Sequence, residues 1–162
     1  MDYLFNLEKI NYIKGDKPDI ECILCGIRDN DSRVKNLEIY RSRSFIVSLN
    51  LYPFNPGHLM IFPVRHIEDY SQITDSEASE IHKLTRISIE ILRKYFNCQG
   101  INIGYNLGPN SGASIKHIHE HIVPRYGNEL GFMDIVAGAR VFVVDPVSVR
   151  EKLSELFNLE VK

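Results

Sequence analysis

The stretch KHIHEHIVPR, residues 116–125, places His117, His119 and His121 at every second position, half of the six histidines in the chain. The apolar residues around them, Ile115, Ile118, Ile122 and Val123, are β-branched, and Pro124 stops the run. That composition predicts a strand. Alternation on a strand lines the three imidazoles along one face and puts Ile118, Glu120 and Ile122 on the other. Such a row has three readings. Polar residues facing water would account for one histidine better than for three. A single three-histidine metal centre is known chemistry for zinc, but the first and third Cα atoms of an extended run lie roughly 13 Å apart. One ion bonded at about 2 Å reaches neighbours two apart far more easily than all three. The third reading is phosphorus chemistry: a neutral imidazole attacks an α-phosphate while a flanking imidazole donates to the developing negative charge.

The preceding loop, NLGPNSGAS, favours the third reading. Gly108 and Gly112 let backbone N–H groups approach an anion, Ser114 adds a hydroxyl and Asn106 an amide. A second chemical pair stands far away in the chain, Cys22-Ile-Leu-Cys25. By itself a Cys-x-x-Cys is compatible with metal binding, redox chemistry or chance. Cys98 makes the cysteine count odd, which counts against a framework of structural disulfides.

Certain elements must hold these groups in place. The residues up to about 36 are turn-rich, with KGDKPD before the cysteine pair and RDNDSR after it. LEIYRSRSFIVSLN, 37–50, predicts two short strands joined through RSRS, and HLMIFPV, 58–64, a third, with LYPFNPGH bending the chain between them. Thr74-Asp75-Ser76-Glu77 fits a capping box. Beyond it Ala78, Ile81, Leu84, Ile91, Leu92 and Tyr95 follow helical spacing, with Thr85 and Ser88 on the same stripe. This long helix is expected to end near Asn97. GINIGYN, 100–106, predicts a strand, FMDIVAG a further one, and PVSVREKLSELF a terminal helix opened by Pro146. Strands joined by tight loops around one long helix predict an α+β fold with a mainly antiparallel sheet. The organisation expected is an irregular segment over 1–36, a domain over 37–145 and a terminal helix over 146–162.

The chain has 162 residues, 44% hydrophobic and 25% charged, with a net charge of −2. That suits one globular domain. No global positive field points to nucleic acid or to an anionic membrane as partner. No apolar run approaches the ~20 residues of a membrane span, and MDYLFNLEKINYIKGDK lacks the layout of a signal peptide. The expected location is the cytoplasm.

His-Ile-His-Glu-His-Ile-Val resembles the His-φ-His-φ-His-φ-φ signature, φ being hydrophobic, of the histidine triad nucleotide-binding family. SLNLYPFNPGHLMIFPVRHIEDY and GINIGYNLGPNSGASIKHIHEHIVPRYG are similar to the two core blocks of its diadenosine tetraphosphate phosphorylase and hydrolase branch. The similarity spans roughly residues 37 to 145. Glu120 departs from it, standing where the family has an apolar residue; it is expected to face away from the chemistry, with altered packing or a cation beside it. The uridylyltransferase branch carries glutamine in place of the third histidine, so His121 argues against that branch.

The resemblance implies a sheet extended across a homodimer and catalysis through a covalent nucleotidyl-histidine. His119 would be the nucleophile, and His121 would hydrogen-bond the phosphate or leaving oxygen, with His58 of NPGH behind it. Asn106, Gly112 and Ser114 would contact phosphate and Asn50 the ribose. Leu49 and Leu51 would be an apolar slot for the base or ordinary core. The substrate implied is a dinucleoside polyphosphate, such as diadenosine tetraphosphate, or another nucleotide conjugate. Several members of the family also hold a zinc on two N-terminal cysteines and two histidines at matching positions, which implies Cys22, Cys25, His66 and His117 here, a closed structural set. His82 is assigned to the surface, and Cys98 to structure. Two rivals stay open: a nucleotide-sensing module with negligible turnover, and a metal-dependent hydrolase.

Overall fold

A computed structural model describes residues 18–127 and 145–161. Five strands form one antiparallel sheet in the order β1 (Glu38–Arg41), β2 (Phe45–Leu49), β3 (Leu59–Pro63), β5 (Glu120–Arg125), β4 (Gly100–Tyr105). Among the described residues three α-helices accompany it: α1 (Ile23–Arg28), α2 (Asp75–Phe96) and α3 (Pro146–Glu160). The α+β architecture is the one predicted. The FMDIVAG strand expectation lies outside the described residues.

Period-two alternation assigns a core to each face of the sheet. Phe45, Val47 and Leu49 of β2 and Leu59 and Ile61 of β3 meet α2 and α3 on one side. Ile46, Met60 and Phe62 meet Leu24 and Ile27 of α1 on the other. Both central strands are therefore buried throughout, which is why they read as apolar runs rather than as alternating ones. β4 is different: it lies at the sheet edge and exposes Asn102, Ile103 and Gly104.

The long helix starts as its sequence dictates. Thr74 Oγ1 accepts from the Glu77 N–H, and the Glu77 carboxylate accepts from the Thr74 N–H. Glu77 also takes two bonds from Arg65 at 2.7 Å, from Nε and Nη2. That guanidinium, ahead of the other contacts, pulls the Glu77 carboxyl down to about 2. The segment after β3 is thereby pinned to the N-terminus of α2. Asn97 closes the helix in the left-handed region (φ 51°). Its buried stripe includes Ile81, Leu84, Ile87, Ser88, Ile91 and Leu92, whereas Ala78 and Tyr95, assigned to the stripe from spacing, face solvent.

Two local expectations are corrected. The N-terminal segment, read as irregular, contains α1 with Cys22 at its N-cap. Its apolar residues Ile23, Leu24 and Ile27 sit at helical spacing, masked by flanking turns. The histidine stretch is extended only from Glu120 onward. The β3–β5 ladder runs Leu59–Ile122, Met60–His121, Ile61–Glu120 and stops there. Two residues further along β3 stands Pro63, which has no N–H to offer a ladder, and its carbonyl accepts from His117 Nε2 instead (3.0 Å). Among the described residues no helix is long and apolar enough to cross a membrane.

Candidate active site and metal centre

The three histidines are not lined along one strand face; they part into two environments. His117 turns toward α1. Cys22 and Cys25, one helical turn apart, present their thiols on the same side. His117 Nδ1 lies 3.5 Å from Cys22 Sγ and 3.6 Å from Cys25 Sγ. His66, just beyond β3, brings its Nδ1 within 3.3 Å of Cys25 Sγ. All four donor atoms lie within 4.8 Å of one another. Tetrahedral zinc with ordinary Zn–S and Zn–N bonds sets its donors about 3.3–3.8 Å apart, so the set has the size and chemistry for such an ion. Each imidazole is also backed by oxygen: His117 Nε2–H donates to the Pro63 carbonyl (3.0 Å), and His66 Nε2 faces Glu68 Oε1 (3.6 Å). An oxygen on Nε2 keeps the proton there and leaves Nδ1 as the ligating lone pair. Burial, then the neighbouring His66, pushes His117 down to about 4. Burial, then the Cys22 thiol, pushes Cys25 up to about 11.

His119 and His121 belong to a different place. Together with Asn106, Gly112 and Ser114 they form the polar end of a cleft of about 300 Å³. Its apolar walls come from Ile23, Leu24 and Ile27 of α1, with Val34, Leu49 and Met60. Asn50 and Leu51 line the same cleft. Leu49 lines the cleft and also packs in the main core. Gly108 (φ 78°) and Gly112 (φ 86°) hold the loop in left-handed conformations that favour glycine. A Cβ at either would meet nothing within 4 Å, so conformation and not space requires them. The Ser114 hydroxyl makes no hydrogen bond among the described residues.

A chain of hydrogen bonds fixes the protons on this side. The Phe54 N–H donates to His58 Nδ1 (3.2 Å), so His58 carries its proton on Nε2. That proton faces His121 Nδ1 at 3.0 Å, which leaves the His121 proton on Nε2, toward the cleft. Asn106 Nδ2 stands 3.4 Å from that nitrogen; because Nε2 already carries the proton, the side-chain amide must be flipped for its oxygen to face Nε2 as the acceptor. His58 is fully buried and is stacked by Phe54 (centroids 5.4 Å, 19°). The NPGH turn that carries it is held by Asn55 Nδ2 donating to the Pro124 carbonyl (2.7 Å). Gly57 (φ 80°) completes the turn, and a Cβ there would come within 2.9 Å of Phe96. His119 Nδ1 donates to the His117 carbonyl (2.9 Å), so its Nε2 is the bare nitrogen. Burial lowers the His119 pKa and favours the neutral ring.

Glu120 faces α2, away from the cleft, as expected. Altered packing or a cation was expected beside it, and its hydrogen-bond partners are the Thr85 hydroxyl at 2.5 Å and the Tyr105 hydroxyl. Sequence reasoning missed several contributors. The carbonyls of Pro63 and His117 and the Phe54 N–H are main-chain groups with no residue-type signal. The α1 wall was legible in the spacing of Ile23 and Ile27. His82 is exposed and Cys98 is buried, as assigned.

The HIT domain model matches residues 32–128, and the chain belongs to the histidine triad family. It is 37% identical over 108 residues to the AP-4-A phosphorylase of Mycobacterium tuberculosis, covering 66% of this chain and 55% of that protein. It is 30% identical over 97 residues to the asymmetrical bis(5'-nucleosyl)-tetraphosphatase of Schizosaccharomyces pombe, covering 60% and 53%. The chain thus spans about half the length of these two relatives. A zinc-bound histidine triad protein of Mycobacterium smegmatis superposes with a TM-score of 0.71 at 25% identity, covering 87% and 96% of the two chains.

Proposed function

We propose that this protein transfers a nucleotidyl group from a dinucleoside polyphosphate or nucleotide conjugate to water or inorganic phosphate by double displacement at His119. The observation that carries this reading is the proton placement around the cleft: a bare Nε2 on His119 beside a protonated Nε2 on His121. The His119 lone pair attacks the α-phosphorus, forming a P–N bond as the P–O bond to the leaving phosphate breaks. The departing oxygen takes the Nε2 proton of His121, which His58 supports from behind. Asn106, the Gly112 backbone and Ser114 hold the phosphate oxygens, and Asn50 holds the ribose. Water or phosphate then attacks the same phosphorus, its proton passes to His121, and the P–N electrons return to His119.

Cys22, Cys25, His66 and His117 are read as ligands of a structural zinc, which would tie α1, the segment after β3 and the histidine stretch together. Chemistry and metal occupy separate places, which favours this reading over a metal-dependent hydrolase. The exposed edge strand β4, with Ile103 outward, favours a homodimer paired along that edge. The free thiols Cys22, Cys25 and Cys98 suit the reducing cytoplasm. Product analysis with diadenosine tetraphosphate, with and without inorganic phosphate, tests the activity. ADP with ATP indicates phosphorolysis, and cleavage indifferent to phosphate indicates hydrolysis. No cleavage of this substrate or of a nucleotide phosphoramidate refutes the reading.

A further inference from the structure

The residues that aim His119 belong to the metal centre. His119 lies just before β5, outside the ladder that holds His121, and its ring is held by an Nδ1–H bond to the His117 carbonyl (2.9 Å) and an edge contact with His121 (centroids 4.6 Å). The main chain at His117 is held in turn by its own ring, wedged between the two thiols and the Pro63 carbonyl. The adjacent Ile118 N–H donates to the Ile67 carbonyl (2.8 Å), so both main-chain anchors flank His66. Thus three of the four donors, or their immediate neighbours, converge on the residue whose carbonyl fixes the nucleophile. The binding walls have anchors besides the metal donors, although Cys22 and Cys25 stand on α1 itself. Leu24 and Ile27 pack α1 against Ile46, Met60 and Phe62, and Asn106 and Gly112 stand on the β4–β5 loop.

We infer that metal held by Cys22, Cys25, His66 and His117 sets the orientation and tautomer of His119 through the His117 carbonyl, so that occupancy controls the covalent step while nucleotide affinity is largely retained. The inference rests on the metal and nucleophile readings above and makes the metal more than a staple. A His117 ring released from the centre frees its carbonyl to move, and the His119 proton is then no longer confined to Nδ1. A displacement of about 1 Å at a reacting group costs on the order of 10²-fold in rate.

The test compares purified metal-loaded protein with protein stripped by a chelator and with stripped protein given zinc again. Three quantities are read: the His119 ring tautomer from two-bond ¹H–¹⁵N spectra, the affinity for AMP, and the single-turnover rate of nucleotidyl-protein formation. The loaded protein should show one tautomer, protonated at Nδ1. Stripping should give mixed tautomers and slow the covalent step by about tenfold or more, while AMP affinity stays within about threefold. Zinc should restore both. An unchanged ring and unchanged rate after stripping overturn the inference. Should stripped protein unfold, His66→Ala, which spares the three buried or half-buried donors, is read in the same way; unfolding there as well overturns it, because the metal would then act on the whole fold. Protein that binds no metal overturns the coupling but still forms the adduct. Loaded protein that shows the metal-dependent tautomer but forms no adduct refutes the nucleotidyl-transfer reading instead.

Discussion

Two corners of this molecule are built from the same residue type, and one five-residue segment serves both. At the metal corner, His117 and His66 turn Nδ1 inward and give Nε2 to oxygen, on Pro63 and Glu68 respectively. At the cleft, His119 gives Nδ1–H to a carbonyl and leaves Nε2 bare, while His121 receives a proton at Nδ1 and offers its own Nε2–H. The difference shows that a histidine's role is decided by which ring nitrogen the main chain or a neighbour has already occupied. At the metal corner the four donors face one another, enough to fill a tetrahedral set, although His66 is exposed. The cleft corner is open on one side, as a site for a substrate must be.

Substitutions should separate the two corners, beginning with the strongest. His119→Ala removes the nucleophile and should lower turnover by at least about 10⁴-fold, while AMP binding measured by calorimetry persists because the loop and Asn50 remain. An equal loss of binding would merge nucleophile and cradle into one function. His121→Ala removes a donor to the leaving oxygen and should cost on the order of 10²–10³ in kcat. His58→Ala should resemble it more weakly, since it acts only through His121. Cys22→Ser belongs to the other corner: it should lower the melting temperature by about 10 °C and the metal content below one ion per chain. A stable, metal-free protein would empty that corner of meaning.

The smallest effect concerns Glu120. Burial raises its carboxyl pKa above the ordinary 4.5, so the folded protein keeps this proton to higher pH than the unfolded chain does. Stability is therefore full below the ordinary glutamate range, falls as pH climbs to the raised folded value, and is level beyond it. Glu120→Gln keeps a polar group for Thr85 and Tyr105 and should lose this slope, overtaking the native protein at higher pH in thermal melts. Parallel pH curves would show that Glu120 does not titrate in that range.

The contrast between the corners also marks how far sequence carries. Strands β1 to β3, the capped helix α2 and the gathering of Cys22, Cys25, His66 and His117 were legible because periodicity, capping residues and resemblance carry them locally or by motif. The division of the histidine row was foreseen, but not the end of the strand at Glu120. That end depends on Pro63, 57 positions earlier in the chain, failing to continue a ladder. At Glu120 the sequence left altered packing and a cation both open, and the two hydroxyls that bond it come from α2 and β4, a pairing made only by the packing of distant elements. Tautomers rest on main-chain carbonyls, which every residue has, so no residue pattern announces them.

The central claim is that His119, and neither His117 nor His121, forms the bond to phosphorus. Peptide mapping of protein quenched at neutral or alkaline pH during turnover of diadenosine tetraphosphate tests it most directly. The account predicts one acid-labile AMP adduct, located on His119 and absent from His119→Ala. An adduct on His117 or His121, or full turnover by His119→Ala, would contradict it.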